Sequence, residues 1–214
     1  NVPTLRKFFN KETAKEIVKK HGKADIITAA NVFAHIRGLD SLIEAILILL
    51  KENGVFIEES HYFLDMISNM QYDSIYAEHL RYYSLKPIIH IFNSFGMDVF
   101  DAERIKTHGG SLRVFCCRKG KQKISENVLH ILKEEEKKQL YSKETLDAFA
   151  KKVTQNRESL RGILLGIKAE GKKIVGIGAP AKGNTLLNYC GIGPNILDCL
   201  YEKQIFKIGK YSPG

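Results

Sequence analysis

The chain has 214 residues, a hydrophobic share of 44% and a formal net charge of +9. That length holds one large domain or two small ones, with apolar material for a substantial core. The charge suits a polyanion or a phosphorylated small ligand, but no basic stripe interleaved with aromatics accompanies it, which argues against nucleic acid. Runs such as Lys133-Glu134-Glu135-Glu136-Lys137-Lys138 read instead as a solvated helix face. No apolar run reaches transmembrane length and no signal peptide opens the chain, so no membrane partner is expected and a cytoplasmic location is. Cys116, Cys117, Cys190 and Cys199 form no C-x-x-C pair, which points to reduced thiols and away from a metal site. Asn1 stands where a methionine would open a complete chain, so a fragment or processed product is expected.

In chain order, Asn10 is placed to cap a helix from Lys11 to about Lys20, which Gly22 stops. Ala24–Ala30 has the character of a buried strand. Asp40 is placed to cap the next helix, whose stripe is Leu42, Ile43, Ile46, Leu47 and Leu50, with Asn53-Gly54 as its end. The strand Val55–Glu59 follows. Helix, strand, helix, strand at these lengths predicts a parallel sheet with crossover helices. After a helix over Pro87–Phe95, Met97–Arg104 and Ser111–Arg118 predict an antiparallel pair turning at Thr107–Gly110. A parallel sheet that finishes in such a hairpin resembles a class I methyltransferase domain.

Gly120-Lys121-Gln122-Lys123 reads as a link, giving domains at 1–120 and 121–214. A long helical region follows, broken near Tyr141-Ser142. Then come a strand at Lys172–Gly178, a glycine-rich turn, a helix over Asn184–Tyr189 and a strand at Ile196–Tyr201. The fold class is therefore α/β: a partial class I methyltransferase (Rossmann-like) sheet, then a second, smaller Rossmann-like domain.

Several clusters carry chemistry. Tyr76-Ala77-Glu78-His79, with Tyr82-Tyr83-Ser84 close behind, crowds an imidazole, a carboxylate and phenols together, as proton transfer with a hydroxylated substrate requires. The competing account is a half-buried segment whose polar groups are merely satisfied. Asn31 to His35 follow a strand end, where an open α/β sheet binds ligands; a hydrogen bond at a helix entry is the alternative for His35. Phe8 and Phe9 suit the cover of an adenine ring or a place in the core. His108-Gly109-Gly110-Ser111-Leu112-Arg113 is either a plain hairpin turn or a grip on phosphate through Arg113. The turn from Gly176 to Thr185 has the form of an anion cradle, or of a tight strand-to-helix connection. It is no Walker A loop, since Asn184 stands where the lysine belongs, and Ala181 replaces the third glycine of G-x-G-x-x-G.

The ordered set Ala30–His35, Tyr76–His79 with Tyr82–Ser84, His108–Arg113, Gly178–Asn188 and Lys207–Gly214 resembles the S-adenosylmethionine-dependent sugar C-methyltransferases that act on nucleotide-linked deoxysugars. The resemblance covers nearly the whole chain. It implies the second half of a central methyltransferase domain and most of a C-terminal Rossmann-like domain. The family's N-terminal zinc module and its glycine-rich cofactor loop are expected to be missing. It implies S-adenosylmethionine as cofactor and a nucleotide sugar as substrate. It implies His79 as base, flanked by Tyr76 and Glu78, with His35 near the developing oxyanion. It places Ala30, Asn31 and Phe9 at the cofactor, and Tyr83, His108, Ser111, Arg113, Lys182, Asn184 and Thr185 at the substrate. Two other classes stay open: a non-catalytic sugar-nucleotide-binding module, and a nicotinamide-dependent sugar oxidoreductase using the Gly176–Gly183 turn. Oligomeric state is open.

Overall fold

A computed structural model describes residues 2–213; Asn1 and Gly214 lie outside the described residues. The chain forms two compact units. One takes in the chain up to Asp65 together with Leu80–Gln139; the other takes in Met66–His79 and the chain from Leu140 onward. Both are α/β, as expected.

In the first unit the Asn10 side chain accepts a 2.9 Å bond from the Thr13 N–H and starts α1 (Lys11–His21). Such a cap contributes about 1 kcal/mol. Gly22, at φ +80°, ends the helix, and β1 (Ala24–Ala30) follows as expected. α2 (Leu39–Leu49) begins one residue ahead of Asp40, with Gly38 at its cap position. Asn53-Gly54 does not end this helix. The chain passes straight into β2 (Leu50–His61), and the register jumps from Ala24 opposite Leu50 to Ile26 opposite Val55. The extra residues form a bulge, which calls for glycine just as a turn does. A Cβ at Gly54 would overlap the Leu50 side chain.

After α3 (Phe63–Ser68) and α4 (Leu85–Ser94), β3 (Met97–Ile105) and β4 (Ser111–Arg118) make the expected antiparallel hairpin. The sheet runs β1-β2-β4-β3, with β1 parallel to β2 and β4 antiparallel to both of its neighbours. Phe33, Phe56 and Phe92 pack with ring centroids 5.7–5.9 Å apart, and Ala14, Ala45 and Leu49 form a second buried cluster.

α5 (Glu126–Lys137) is capped by Ser125 and packs on β3. The compact units therefore do not divide at the 120–121 link. Nor is the whole charged run of α5 solvated: Glu135 is 1% exposed. Its carboxylate accepts the Tyr62 hydroxyl at 3.0 Å and the N–H groups of Leu85 and Lys86 at 2.6 and 3.2 Å. A side chain on α5 thus caps α4.

In the second unit Ser142 caps α6 (Lys143–Ala169). β5 (Val175–Ile177), α7 (Ala181–Cys190) and β6 (Cys199–Tyr201) make one βαβ turn with the two strands parallel. α7 starts three residues earlier than the sequence suggests. Cys190, Ile192 and Ile196 are its core, with Leu160, Leu164 and Leu186 packed against them. Among the described residues no helix is long and apolar enough to cross a membrane.

Two outcomes follow from the buried carboxyls of the first unit. Glu135→Ala leaves a phenol and two amides without their acceptor, so urea unfolding should show a loss of about 3 kcal/mol; a change under about 0.5 kcal/mol, as at an ordinary surface site, would contradict this. Glu58, 1% exposed, is held up at about 8, chiefly by burial. Its raised value means that the linked stability is full below the ordinary carboxyl range and is lost as pH rises through about 8. Glu58→Gln keeps the neutral form throughout, so its urea midpoint should climb relative to the parent chain's across that window. A constant difference between the two would rule this out.

Candidate active site

The segment Met66–His79 is held in the second unit by Tyr72. Its hydroxyl donates to Asn156 on α6 at 2.7 Å, and its ring lies 5.6 Å from that of Tyr189 on α7. The short 3-10 turn Tyr72–Ser74 is fixed in this way, and it presents the Ser74 carbonyl to His79. His79 Nδ1 is 2.9 Å from that oxygen. A carbonyl can only accept, so in the neutral ring Nδ1 carries the proton and Nε2 is the basic nitrogen. The Tyr76 hydroxyl lies 3.1 Å from Nε2, with the two rings 4.2 Å apart. Burial, then the carboxylates of Glu78 and Asp73, raise the Tyr76 phenol above its ordinary value. Tyr76 therefore stays protonated and donates to Nε2. Glu78 is itself exposed and acts on Tyr76 through its charge. The sequence singled out Tyr76, Glu78 and His79; it could not show Ser74, which contributes a backbone atom.

In the first unit Ala30 ends β1 opposite Glu59. Asn31 turns out of the strand at φ +54°, its N–H donating to the Glu59 carbonyl at 2.7 Å. His35 is exposed on the 3-10 turn Phe33–His35. That turn is clamped from the other strand of chain: the Leu80 N–H donates to the Ala34 carbonyl at 2.8 Å, the Tyr83 hydroxyl reaches the Phe33 carbonyl at 3.4 Å, and Arg81 holds the carbonyls of Ile36 and Arg37. Tyr83 is 4% exposed, and burial pushes its phenol up to about 12. It braces the turn beneath His35. Phe9 is half-buried and packs against the Ala14, Ala45 and Leu49 cluster, whereas Phe8 is 93% exposed.

The hairpin turn differs from the phosphate grip. Arg113 gives Nε and Nη2 to Glu59 at 3.1 and 2.9 Å and Nη1 to Glu103 at 2.7 Å. Any phosphate there would compete with two carboxylates already in contact. Ser111 is fully buried and donates to the Thr107 carbonyl at 3.1 Å, which closes the turn. His108 is exposed at φ +53°, edge-on to His61 at 5.5 Å. Gly110, at φ +130°, admits no side chain, since a Cβ would run into Asp65. The competing carboxylate Glu59 carried no sequence signal beyond its place at the end of a strand.

In the second unit Lys182, Asn184 and Thr185 lie on the first turns of α7. The Thr185 hydroxyl is turned back onto the Ala181 carbonyl at 3.1 Å, while Asn184 Oδ1 is shut off from solvent with no hydrogen-bond partner. Two N–H groups of the glycine-rich turn are already taken from within the chain. Gly178 donates to the Tyr201 carbonyl at 2.7 Å and Ala179 to the carboxylate of Glu202 at 2.8 Å.

Residues 106–214 match the family model "C-methyltransferase C-terminal domain", and residues 4–102 match a methyltransferase domain model. The chain belongs to the C-methyltransferase C-terminal domain family. It is 32% identical over all its 214 residues to the C-methyltransferase NovU of Streptomyces niveus. It spans about half the length of that curated relative, 51%. It is also similar to the crystal structure of a SAM-dependent methyltransferase from Anabaena variabilis, at 14% identity and a TM-score of 0.39, over 52% of this chain and 56% of that one. Within the C-methyltransferase family model fall the hairpin turn, α5, α6 and the whole βαβ turn; the methyltransferase model takes in β1, β2 and the Tyr76–His79 segment.

The geometry at His79 has a direct spectroscopic consequence. In ¹⁵N–¹H correlation spectra of the neutral imidazole, His79 should appear with its proton on Nδ1. A proton on Nε2 would reverse the assignment of the basic nitrogen.

Proposed function

We propose that the chain is the catalytic and acceptor-binding part of a methyltransferase that moves a methyl group from S-adenosylmethionine to a carbon of a nucleotide-linked keto-deoxysugar. The observation that carries this reading is the fixed tautomer of His79, whose Nδ1–H is held by the Ser74 carbonyl and whose basic Nε2 is met by Tyr76. Family membership supports methyl transfer, and the likeness to NovU supports carbon as the acceptor atom.

A carbon beside a keto group loses a proton to Nε2, and the C–H electron pair passes into the carbonyl as an enolate. Tyr76, kept protonated, first donates to Nε2 and must yield that nitrogen as the substrate arrives. It is then a hydrogen-bond donor for the substrate oxygen. In the first unit His35, exposed on its braced turn, is the group we assign to the developing oxyanion. The first unit suits the cofactor: the carboxyl end of β1 beside β2, with Asn31 turned outward in the left-handed region, is where an open sheet receives a nucleoside. Ala30 and Asn31 would hold it there, and when bound it supplies the electrophilic methyl group. The turn at His108 and the start of α7 at Lys182 are assigned to the sugar nucleotide. We keep 1–120 as the methyl-transfer part and 121–214 as the nucleotide-sugar part of this division of labour.

His79→Asn should lower methyl transfer by about a hundredfold or more, the usual share of a positioned base, with cofactor binding nearly intact. The assay is methyl transfer by the parent protein that contains this chain, with cofactor affinity measured alongside by calorimetry. Unchanged turnover would remove His79 from the mechanism. Turnover that falls together with cofactor affinity would make it a structural residue.

A further inference from the structure

The turn that presents the Ser74 carbonyl to His79 does not hold its own shape. It is a 3-10 turn of three residues, Tyr72–Ser74. Its backbone bonds run from the Ser74 N–H to the Gln71 carbonyl at 3.1 Å and from the Ile75 N–H to the Tyr72 carbonyl at 3.0 Å. Bonds of this i to i+3 kind are poorly aligned, and a single turn is unfavourable to form by itself. Its place must come from what it packs against. Ser74 is fully buried, so water cannot stand in for its carbonyl at Nδ1. A small rotation of the turn would therefore cost His79 its acceptor outright.

Tyr72 supplies the anchorage. It is buried, and two helices of the second unit grip it. From α6, Asn156 accepts the phenol at 2.7 Å. From the end of α7, Tyr189 lays its ring 5.6 Å from that of Tyr72, and Cys190 Sγ lies 3.9 Å from the hydroxyl oxygen. The Tyr189 ring is in turn held by the Arg157 guanidinium of α6, 5.5 Å above it. Burial first, and then the contact with Cys190, push the Tyr72 phenol up to about 12, so it remains a donor at neutral pH. Two residues separate this anchored ring from the carbonyl that orients the imidazole.

We propose that Tyr72 is a positioning residue for methyl transfer: docked between α6 and α7, it fixes the turn whose Ser74 carbonyl sets the tautomer of His79. The role rests on the reading of His79 as the base. An imidazole without a fixed acceptor at Nδ1 divides its proton between the two nitrogens, and the form protonated on Nε2 has no lone pair there to take a proton. Tyr76 would then have to accept from Nε2 instead of donating to it. Loss of Tyr72 thus disables the base while leaving in place the groups assigned to cofactor and substrate, and its effect falls on kcat and not on KM.

The test joins a spectrum to an assay. In ¹⁵N–¹H correlation spectra of the 214-residue chain, Tyr72→Phe and Tyr72→Ala should both show a form of His79 protonated on Nε2, more of it in the alanine variant. In the parent protein, Tyr72→Phe should lower kcat about fivefold, the worth of one hydrogen bond. Tyr72→Ala should lower it about a hundredfold, as a base displaced by about 1 Å does. KM and cofactor affinity should stay near their unaltered values in both. Tyr72→Phe keeps the ring and its packing, so it decides alone where Tyr72→Ala does not fold. His79 protonated on Nδ1 alone in the folded variants, a lower kcat with an unchanged tautomer, an altered tautomer with unchanged kcat, or turnover that falls together with cofactor affinity would each overturn the proposal. The spectrum reads the placement of the ring, and the His79→Asn assay reads whether that ring is the base, so failure of the one is seen apart from failure of the other.

Discussion

A buried carboxylate that must be saturated with donors sets the geometry of the first unit. Glu135 cannot be left bare at 1% exposure. Its donors come from two distant places: Tyr62 at the end of β2 and the first amides of α4. The helix that carries it is joined to the sheet by Arg104, which binds Glu134 on α5 and Asp65 and lies 5.3 Å above the Tyr62 ring. Burial and the Glu135 carboxylate push the Tyr62 phenol upward, so it remains a donor. The stretch Leu80–Ser84 is thus fixed at its far end by the helix that Glu135 caps. At its near end the Ala34 carbonyl and Arg81 hold it. Tyr83, between these anchors, has little choice but to brace the turn that carries His35.

The sequence made the regular parts of this fold legible because they rest on local rules. Asn10 followed by an amphipathic run gave α1, two strand-like runs joined by a short glycine turn gave the β3–β4 hairpin, and Tyr141-Ser142 gave the break between the two long helices. The misreadings arose where one residue type serves two purposes. Gly54 signals a turn and a bulge equally well, and only strand register separates them. Glu135 sits in a run that reads as solvent-facing, yet it is the residue that points inward. The same limit applies at the site. Tyr76, Glu78 and His79 are close in sequence and so could be seen together. What fixes the tautomer of His79 is a carbonyl oxygen, and backbone atoms have no residue code.

The distribution of carboxylates also changes what the net charge of +9 means. Two places that looked ready for phosphate are each answered from within the chain: Arg113 by Glu59 and Glu103, and the glycine-rich turn by Glu202. An anion site is made by donors that have nothing nearer to bind, not by the number of cationic side chains. A guanidinium already held on two sides and an amide already capped have spent that capacity. The polarity of each place is then reversed. At the hairpin the carboxylates hold the turn in shape, with Thr107 donating to Glu59 at 3.1 Å beside Arg113. At the end of β6 the carboxylate of Glu202 accepts the N–H groups of Ala179, Lys203 and Gln204 and so ties the glycine-rich turn to the strand end. A chain read from its charge alone would be expected to bind phosphates at both places; read from its hydrogen bonds, its carboxylates hold a hairpin turn at one and tie down the Ala179 amide at the other.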